Sequence, residues 1–228
     1  MENRKTIHPK MLNHHKRFEY YKKQYNYSPK NILDIGALDG RWTICLSQIF
    51  DKAKFLMVEA NEEMKNTLDK TGFDYIICAL SDEVKEANYF KLPGNAGNGL
   101  YLEKNNINSK INKVKTETLN NLLDINYTYN IIKLDVQGSE LDILRGGMNF
   151  LKKADFVLTE CSLVEYNVGA PLFRDQLDFF EKNNYKFFDI IDLLYDKKGQ
   201  LIQIDALFQN NSFKLTHYSE EEILSEEK

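Results

Sequence analysis

Short apolar runs alternate with longer amphipathic stretches through most of the chain. Asn31–Ile35, Lys54–Glu59, Tyr75–Cys78, Asn130–Asp135 and Phe156–Glu160 each place two or more consecutive apolar residues within a span too short for a helix. Such runs are expected to be strands buried on both faces. Helical spacing separates them. It covers Arg41–Ile49, Glu62–Lys70 with Met64 and Leu68 at i, i+4, a stretch from Glu140 that Gly146 and Gly147 interrupt, and Pro171–Asn183, where Pro171 suits the first helical turn. Strands alternating with helices predict parallel βαβ units. Towards the C-terminus the pattern changes. Lys186–Tyr195 and Leu201–Phe208 are joined by Asp196-Lys-Lys-Gly199, a connection that permits only antiparallel pairing. The expected architecture is therefore α/β, a mostly parallel central sheet ending in an antiparallel hairpin. Asn88–Leu92 and Leu100–Lys104 are also strand-like and frame the glycine-rich Pro93–Gly99, expected as a flap or a hairpin tip.

Composition narrows the class. A chain of 228 residues with 43% hydrophobic and 28% charged residues has ordinary globular make-up, which excludes wholesale disorder, collagen-like repeats and a disulfide-dense miniature. The 30 Lys and Arg against 34 Asp and Glu leave a net charge of −4. That balance offers no general attraction to nucleic-acid phosphates or to an anionic membrane, so neither is expected as a partner. No run of about 18 apolar residues occurs, so no membrane span is expected. Cys45, Cys78 and Cys161 lack C-x-x-C spacing and suit reduced thiols. With no apolar leader in His8–Tyr27, a cytoplasmic location is expected.

Charge also divides the chain. Residues 1–30 are locally basic, with Tyr20, Tyr21, Tyr25 and Tyr27 interleaved, and are expected to form a helical extension packed by its tyrosine face. Residues 31–212 form the main domain. Residues 213–228 include Glu220, Glu221, Glu222, Glu226 and Glu227, an acidic tail expected to fray.

Chemistry concentrates after the first and fourth long strands. Asp34-Ile-Gly36-Ala37-Leu-Asp-Gly40 follows a strand and opens a helix, where open α/β sheets bind nucleotides. A dinucleotide site wants G-x-G-x-x-G. Here Gly36 and Gly40 stand four apart with Leu38 between them, and Asp34 and Asp39 add negative charge that repels a pyrophosphate. S-adenosylmethionine, a sulfonium and an ammonium without phosphate, suits such a loop. Glu59 ends the next strand near the offset at which an acid meets a ribose hydroxyl pair. Cys78-Ala-Leu80-Ser81-Asp82 could reach an adenine, or Ser81 could cap a helix. Trp42, which follows the glycine loop, is expected to pack in the core.

In Lys133-Leu-Asp135-Val-Gln137-Gly138-Ser139-Glu140, Asp135 ends a central strand and is expected to point into the ligand cleft. Ser139 with Asp142 has capping-box form. Glu140 suits the helix N-terminus by its charge. All four histidines, His8, His14, His15 and His217, lie outside Asn31 to Asn210. The proton of an acceptor hydroxyl must then go to a carboxylate, unless the N-terminal segment folds over the mouth and brings His14 or His15. Asp135 is the leading candidate base, Glu160 the second. The expected cofactor contacts are Asp34, Gly36, Ala37, Gly40, Glu59, Ala60, Leu80, Ser81 and Asp135. Two other readings remain: a non-catalytic binding scaffold, and an NAD-type oxidoreductase, which the missing third glycine disfavours.

These segments together resemble the FkbM family of S-adenosylmethionine-dependent methyltransferases. The resemblance is carried by Asp34-Ile-Gly-Ala-Leu-Asp-Gly40, Val58-Glu-Ala-Asn61, Ala79-Leu-Ser-Asp82, Ile132-Lys-Leu-Asp-Val-Gln-Gly-Ser-Glu140 with Leu144-Arg-Gly146, and Asp205-Ala-Leu-Phe208, in the family's order. It implies a Rossmann-like class I methyltransferase with S-adenosylmethionine as cofactor. The acceptor it implies is a hydroxyl of a sugar, saccharide or other small secondary metabolite. Leu38 stands where the family commonly has Asn, and Gln137 where its Asp-Val-Glu-Gly motif has Glu. The second change removes one of two paired acids, so no metal is expected. Some relatives acting on sugars do use a divalent cation, which Asp135 and Glu160 could hold.

Overall fold

A computed structural model describes residues 7–94, 97–104 and 109–215. In chain order the elements are α1 (Leu12–Gln24), β1 (Asn31–Ile35), α2 (Arg41–Ser47), β2 (Lys54–Glu59), α3 (Lys65–Leu68), β3 (Asp74–Ile77), β4 (Ala79–Leu80) and β5 (Glu86–Lys91). There follow β6 (Lys110–Glu117), α4 (Leu119–Leu122), β7 (Ile131–Leu134), α5 (Glu140–Gly146), α6 (Met148–Leu151), β8 (Phe156–Ser162), α7 (Phe173–Lys182), β9 (Tyr185–Tyr195) and β10 (Leu201–Asn210). Seven strands form the main sheet in the order β3-β2-β1-β7-β8-β10-β9, and β4, β6 and β5 form a small second sheet. All pairings from β3 to β8 in the main sheet are parallel, and β10 joins β8 and β9 antiparallel.

Successive side chains of a strand point to opposite faces, and each face has its own core. Ile32 and Ile131 pack with Phe18, Trp42, Leu46 and Phe50 beneath α1 and α2. Leu33 and Ile132 pack with Leu141, Leu144, Phe150 and Phe180 beneath α5, α6 and α7. The extension does pack by an aromatic face: Phe18, Tyr21 and Tyr27 are buried, while Tyr20 stays exposed. Arg17 and the Tyr21 hydroxyl both bond the Asp189 carboxylate and pin α1 to β9. No helix among the described residues is long and apolar enough to cross a membrane.

Four local expectations need correction. The single helix over Glu62–Lys70 is broken into a 3-10 turn, the short α3 and a second 3-10 turn, because in α3 only Leu68 is buried and Gly72 ends the segment at φ +77°. Pro171 lies before the helix, not in its first turn. Leu172 is the N-cap, and its N–H donates to Asp175 at 2.8 Å. Leu100–Lys104 is not a strand. The partner of β5 is β6, whose lysines and half-exposed positions leave no apolar run in the sequence. The Ser139–Asp142 capping box does not form. Glu140 instead ties down the loop before the helix, accepting from Val136 N at 3.1 Å and Gly138 N at 3.2 Å. In Pro93–Gly99, Asn95 and Ala96 lie outside the described residues, as does the acidic tail from 216 onward.

Candidate active site

Strand order reverses between β1 and β7: the chain runs outward from β1 to β3 on one side and from β7 to β8 on the other. A crevice opens at the carboxyl ends of strands at such a switch point. The loops after β1 and β7 meet there. A Cβ on Gly36 would lie 1.9 Å from the Asp135 carbonyl oxygen, so only glycine allows the approach, and its φ of +76° suits glycine as well. Leu38 and Gln137, at φ +51° and +57°, hold left-handed conformations unusual for such side chains. Both flank the crevice, where backbone strain tends to be kept for function.

A cleft of about 640 Å³, its open mouth included, lies there. Gly36, Glu59, Ala60, Leu80 and Asp135, all expected at the cofactor, line it. Glu59 is aimed by two backbone donors, Leu38 N to Oε2 and Asn61 N to Oε1, each at 2.7 Å. Burial raises its carboxyl above the usual range despite these bonds. No lysine or arginine lines the cleft among the described residues. Ser139 lines it too, its hydroxyl buried and without a hydrogen-bond partner among the described residues. The sequence pattern points to a helix cap at Ser139.

The remaining expected contacts sit elsewhere. Asp34 is fully buried beneath the loop, accepts from Thr43 Oγ1 at 2.8 Å and pairs with Lys133 Nζ at 3.1 Å. It braces the glycine loop from behind. Asp39 is paired with Arg41, so the loop's second acid is also answered by a cation. Gly40 starts α2 against Met57 and Thr71, Ser81 is buried with its hydroxyl on Asp82, and Ala37 lines a neighbouring cavity.

That second cavity, about 980 Å³ with its open mouth, shares Gly36, Leu38, Asp135 and Gln137 with the first. Glu160, Asp205, His14 and Trp42 form its other walls, and it continues into a groove edged by Leu193 and Leu194 of β9. Gln137 Nε2 donates to Asp135 Oδ1 at 3.2 Å and to Glu160 Oε2 at 2.9 Å, joining the two expected catalytic acids. Burial, and then the charges of Asp135 and Asp205, hold Glu160 well above the usual carboxylate range. Of the two histidines that could reach the mouth, His14 does and is buried, while His15 stays half-buried. Asp205 and Lys133, to which the sequence pattern assigns no role, both line this cavity. A lysine inside a buried strand was itself a signal, since such a charge needs partners.

Burial also lifts the Glu140 carboxyl, to about 7, against the backbone N–H groups it caps. Between the unfolded value of about 4.5 and that value the folded chain binds more protons than the unfolded one. Stability is therefore expected to fall as pH rises through this window, by up to about 3 kcal/mol. Glu140→Gln should flatten the dependence. Urea melts of both proteins across the window check it, and equal slopes would refute it.

The fold and its crevice define a class I, Rossmann-like methyltransferase architecture. Among solved structures, M. capricolum TrmK in complex with S-adenosyl-homocysteine aligns over 96% of this chain and 75% of its own, with TM-score 0.50 and 13% identity. Precorrin-6y C5,15-methyltransferase from Geobacter metallireducens aligns over 90% and 92%, with TM-score 0.50 and 8% identity. At such identities the likeness is one of fold. No curated protein matches by sequence. The methyltransferase FkbM domain model matches residues 34–187. The chain belongs to the FkbM family of S-adenosylmethionine-dependent methyltransferases.

Proposed function

We propose that the chain methylates a hydroxyl of a sugar, saccharide or other small secondary-metabolite acceptor. The observation that carries this reading is the shared wall: Gly36, Leu38, Asp135 and Gln137 line both the cleft and the acceptor cavity. S-adenosylmethionine, when bound, supplies an electrophilic methyl on a sulfonium, which an acceptor oxygen takes up in line with the breaking bond to sulfur. Glu59 is placed to accept from a ribose hydroxyl pair, Leu80 and Ile143 to flank an adenine, and Ser139 to meet the ligand's polar edge. Among the described residues the cleft carries Glu59 and Asp135 and no cationic clamp, which fits a phosphate-free cation and disfavours a pyrophosphate.

Asp135 sits where the two cavities meet and is positioned to receive the hydroxyl proton as the carbon–oxygen bond forms. Glu160, tied to Asp135 through Gln137, lies beside it to bond a neighbouring acceptor oxygen. Alignment of the reacting atoms supplies most of the expected rate gain. Among the described residues Asp39, Asp135, Glu160, Asp192 and Asp205 face Lys10, Arg41 and Lys133 along the groove, and Arg41 and Lys133 are already paired with acids. That charge supports a polyhydroxy acceptor over a nucleic acid.

Calorimetry of S-adenosylmethionine, followed by label transfer to a panel of saccharides and RNA, tests the reading. Binding and a labelled saccharide are expected. Labelled RNA alone would overturn the acceptor class, and binding without any product would favour the scaffold alternative. Asp135→Asn is expected to leave cofactor affinity within about threefold and to lower turnover about 100-fold or more. Full turnover in that variant would remove Asp135 from proton transfer.

A further inference from the structure

Backbone register places Asp205 of β10 opposite Glu160 of β8 and opposite Asp192 of β9. Like charges in directly opposed positions repel, so something must orient them. The residue that reaches Asp205 comes from the other end of the chain. His14 of α1 sets its Nε2 2.9 Å from Asp205 Oδ2, while its Nδ1 accepts from Trp42 Nε1 at 3.3 Å. Its side chain is 4% exposed and that of Asp205 29%.

An indole N–H can only donate. Nδ1 therefore presents its lone pair to Trp42, and the ring proton resides on Nε2, from which it is donated to Asp205. Two roles are closed by this tautomer. His14, Asp192 and Asp205 bring possible ligand atoms within 4.8 Å of one another, as a metal site would. A metal on Nε2 would need a proton on Nδ1, set donor against donor with the indole, whereas ligating histidines pass their second N–H to an acceptor. Nor does the ring keep a free lone pair with which to take a proton from an acceptor hydroxyl.

We infer that His14 is a positioning residue: Trp42 fixes its tautomer, and its Nε2–H ties one oxygen of Asp205 so that the carboxylate is presented to the acceptor. Asp205 then holds a second hydroxyl of the acceptor beside the one methylated, and α1 is part of the acceptor site. This rests on the groove being that site, as proposed above.

Heteronuclear NMR of the nitrogen-labelled full chain tests the tautomer without an acceptor. One neutral form with the proton on Nε2 is expected for His14, with slow solvent exchange of the indole proton of Trp42, the chain's single tryptophan. Added Mn²⁺ should leave the ring signals of His14 sharp. His14→Gln keeps a donor for Asp205 and an acceptor for the indole, and His14→Leu keeps neither. With a saccharide methylated in the panel above, the Gln variant should hold KM within about threefold while the Leu variant raises it about tenfold or more, the effect of one charge-assisted hydrogen bond. Affinity for S-adenosylhomocysteine should be unchanged in both. A proton on Nδ1, broadening by Mn²⁺, or equal losses in the two variants would each overturn the inference. Failure of the wild-type chain to bind S-adenosylhomocysteine would instead sink the methyltransferase reading, and the NMR result would still decide the tautomer of His14.

Discussion

Lys133→Met is expected to destabilise the fold by about 3–5 kcal/mol, the cost of removing one partner from a buried ion pair. Lys133 Nζ lies 3.1 Å from Asp34 Oδ1, 3.0 Å from the Gly36 carbonyl oxygen and 3.6 Å from Asp135 Oδ2. Burial works against its charge, but Asp34 first and Asp135 second outweigh burial and raise its pKa. Methionine keeps the length and most of the packing, so the loss isolates the charge. Asp34, with no exposed surface, would keep only the Thr43 hydroxyl. Denaturant unfolding of the variant measures the effect. The double variant Lys133→Met/Asp34→Leu should recover much of it, because replacing both members leaves no stranded charge. A loss under about 1 kcal/mol in the single variant would mean that water reaches Asp34 and that the brace under the glycine loop is weak.

Gly36→Ala is expected to lower affinity for S-adenosylmethionine about 100-fold or more and to destabilise the chain as well. Two costs add. A residue with a Cβ held at positive φ loses about 1–2 kcal/mol. The new carbon would also sit 1.9 Å from the oxygen and 2.8 Å from the carbon of the Asp135 carbonyl, a backbone group with no rotamer to yield. The loops after β1 and β7 must then part, and the cleft between them opens together with the wall it shares with the second cavity. Gly72→Ala is the control: its φ is +77°, yet a Cβ there meets nothing within 4 Å. It should cost the conformational term alone and leave cofactor affinity unchanged. Calorimetry and thermal unfolding of both variants check the pair. Equal behaviour would show that conformation, and not loop contact, governs the site.

Legibility in the sequence followed the range of the forces involved. β1 and β2 run over the residues expected, and the helix broken at Gly146 and Gly147 is divided there. Buried strands announce themselves by consecutive apolar residues, and glycine turns by their steric needs, both local matters. β6 stayed hidden because backbone pairing with β5 holds it, and a hydrogen-bond ladder leaves no mark on side-chain polarity. The Ser139 cap fails because the capping rule weighs residue types three apart, whereas the Asp142 carboxylate is engaged by the Tyr101 hydroxyl and by Arg145.

By itself the sequence determined the strand–helix alternation, the antiparallel finish, the glycine loop and the family. Each is written in residues that are neighbours in the chain. The tertiary structure alone decided what each acid does. Asp34 is a brace and Glu59 an aimed acceptor, while Gln137 couples Asp135 to Glu160. It also decided that His14 meets Asp205 across 191 residues of chain. A carboxylate's role depends on which donors and charges lie within a few ångströms of it, and that proximity exists only once distant segments have packed on the same sheet edge.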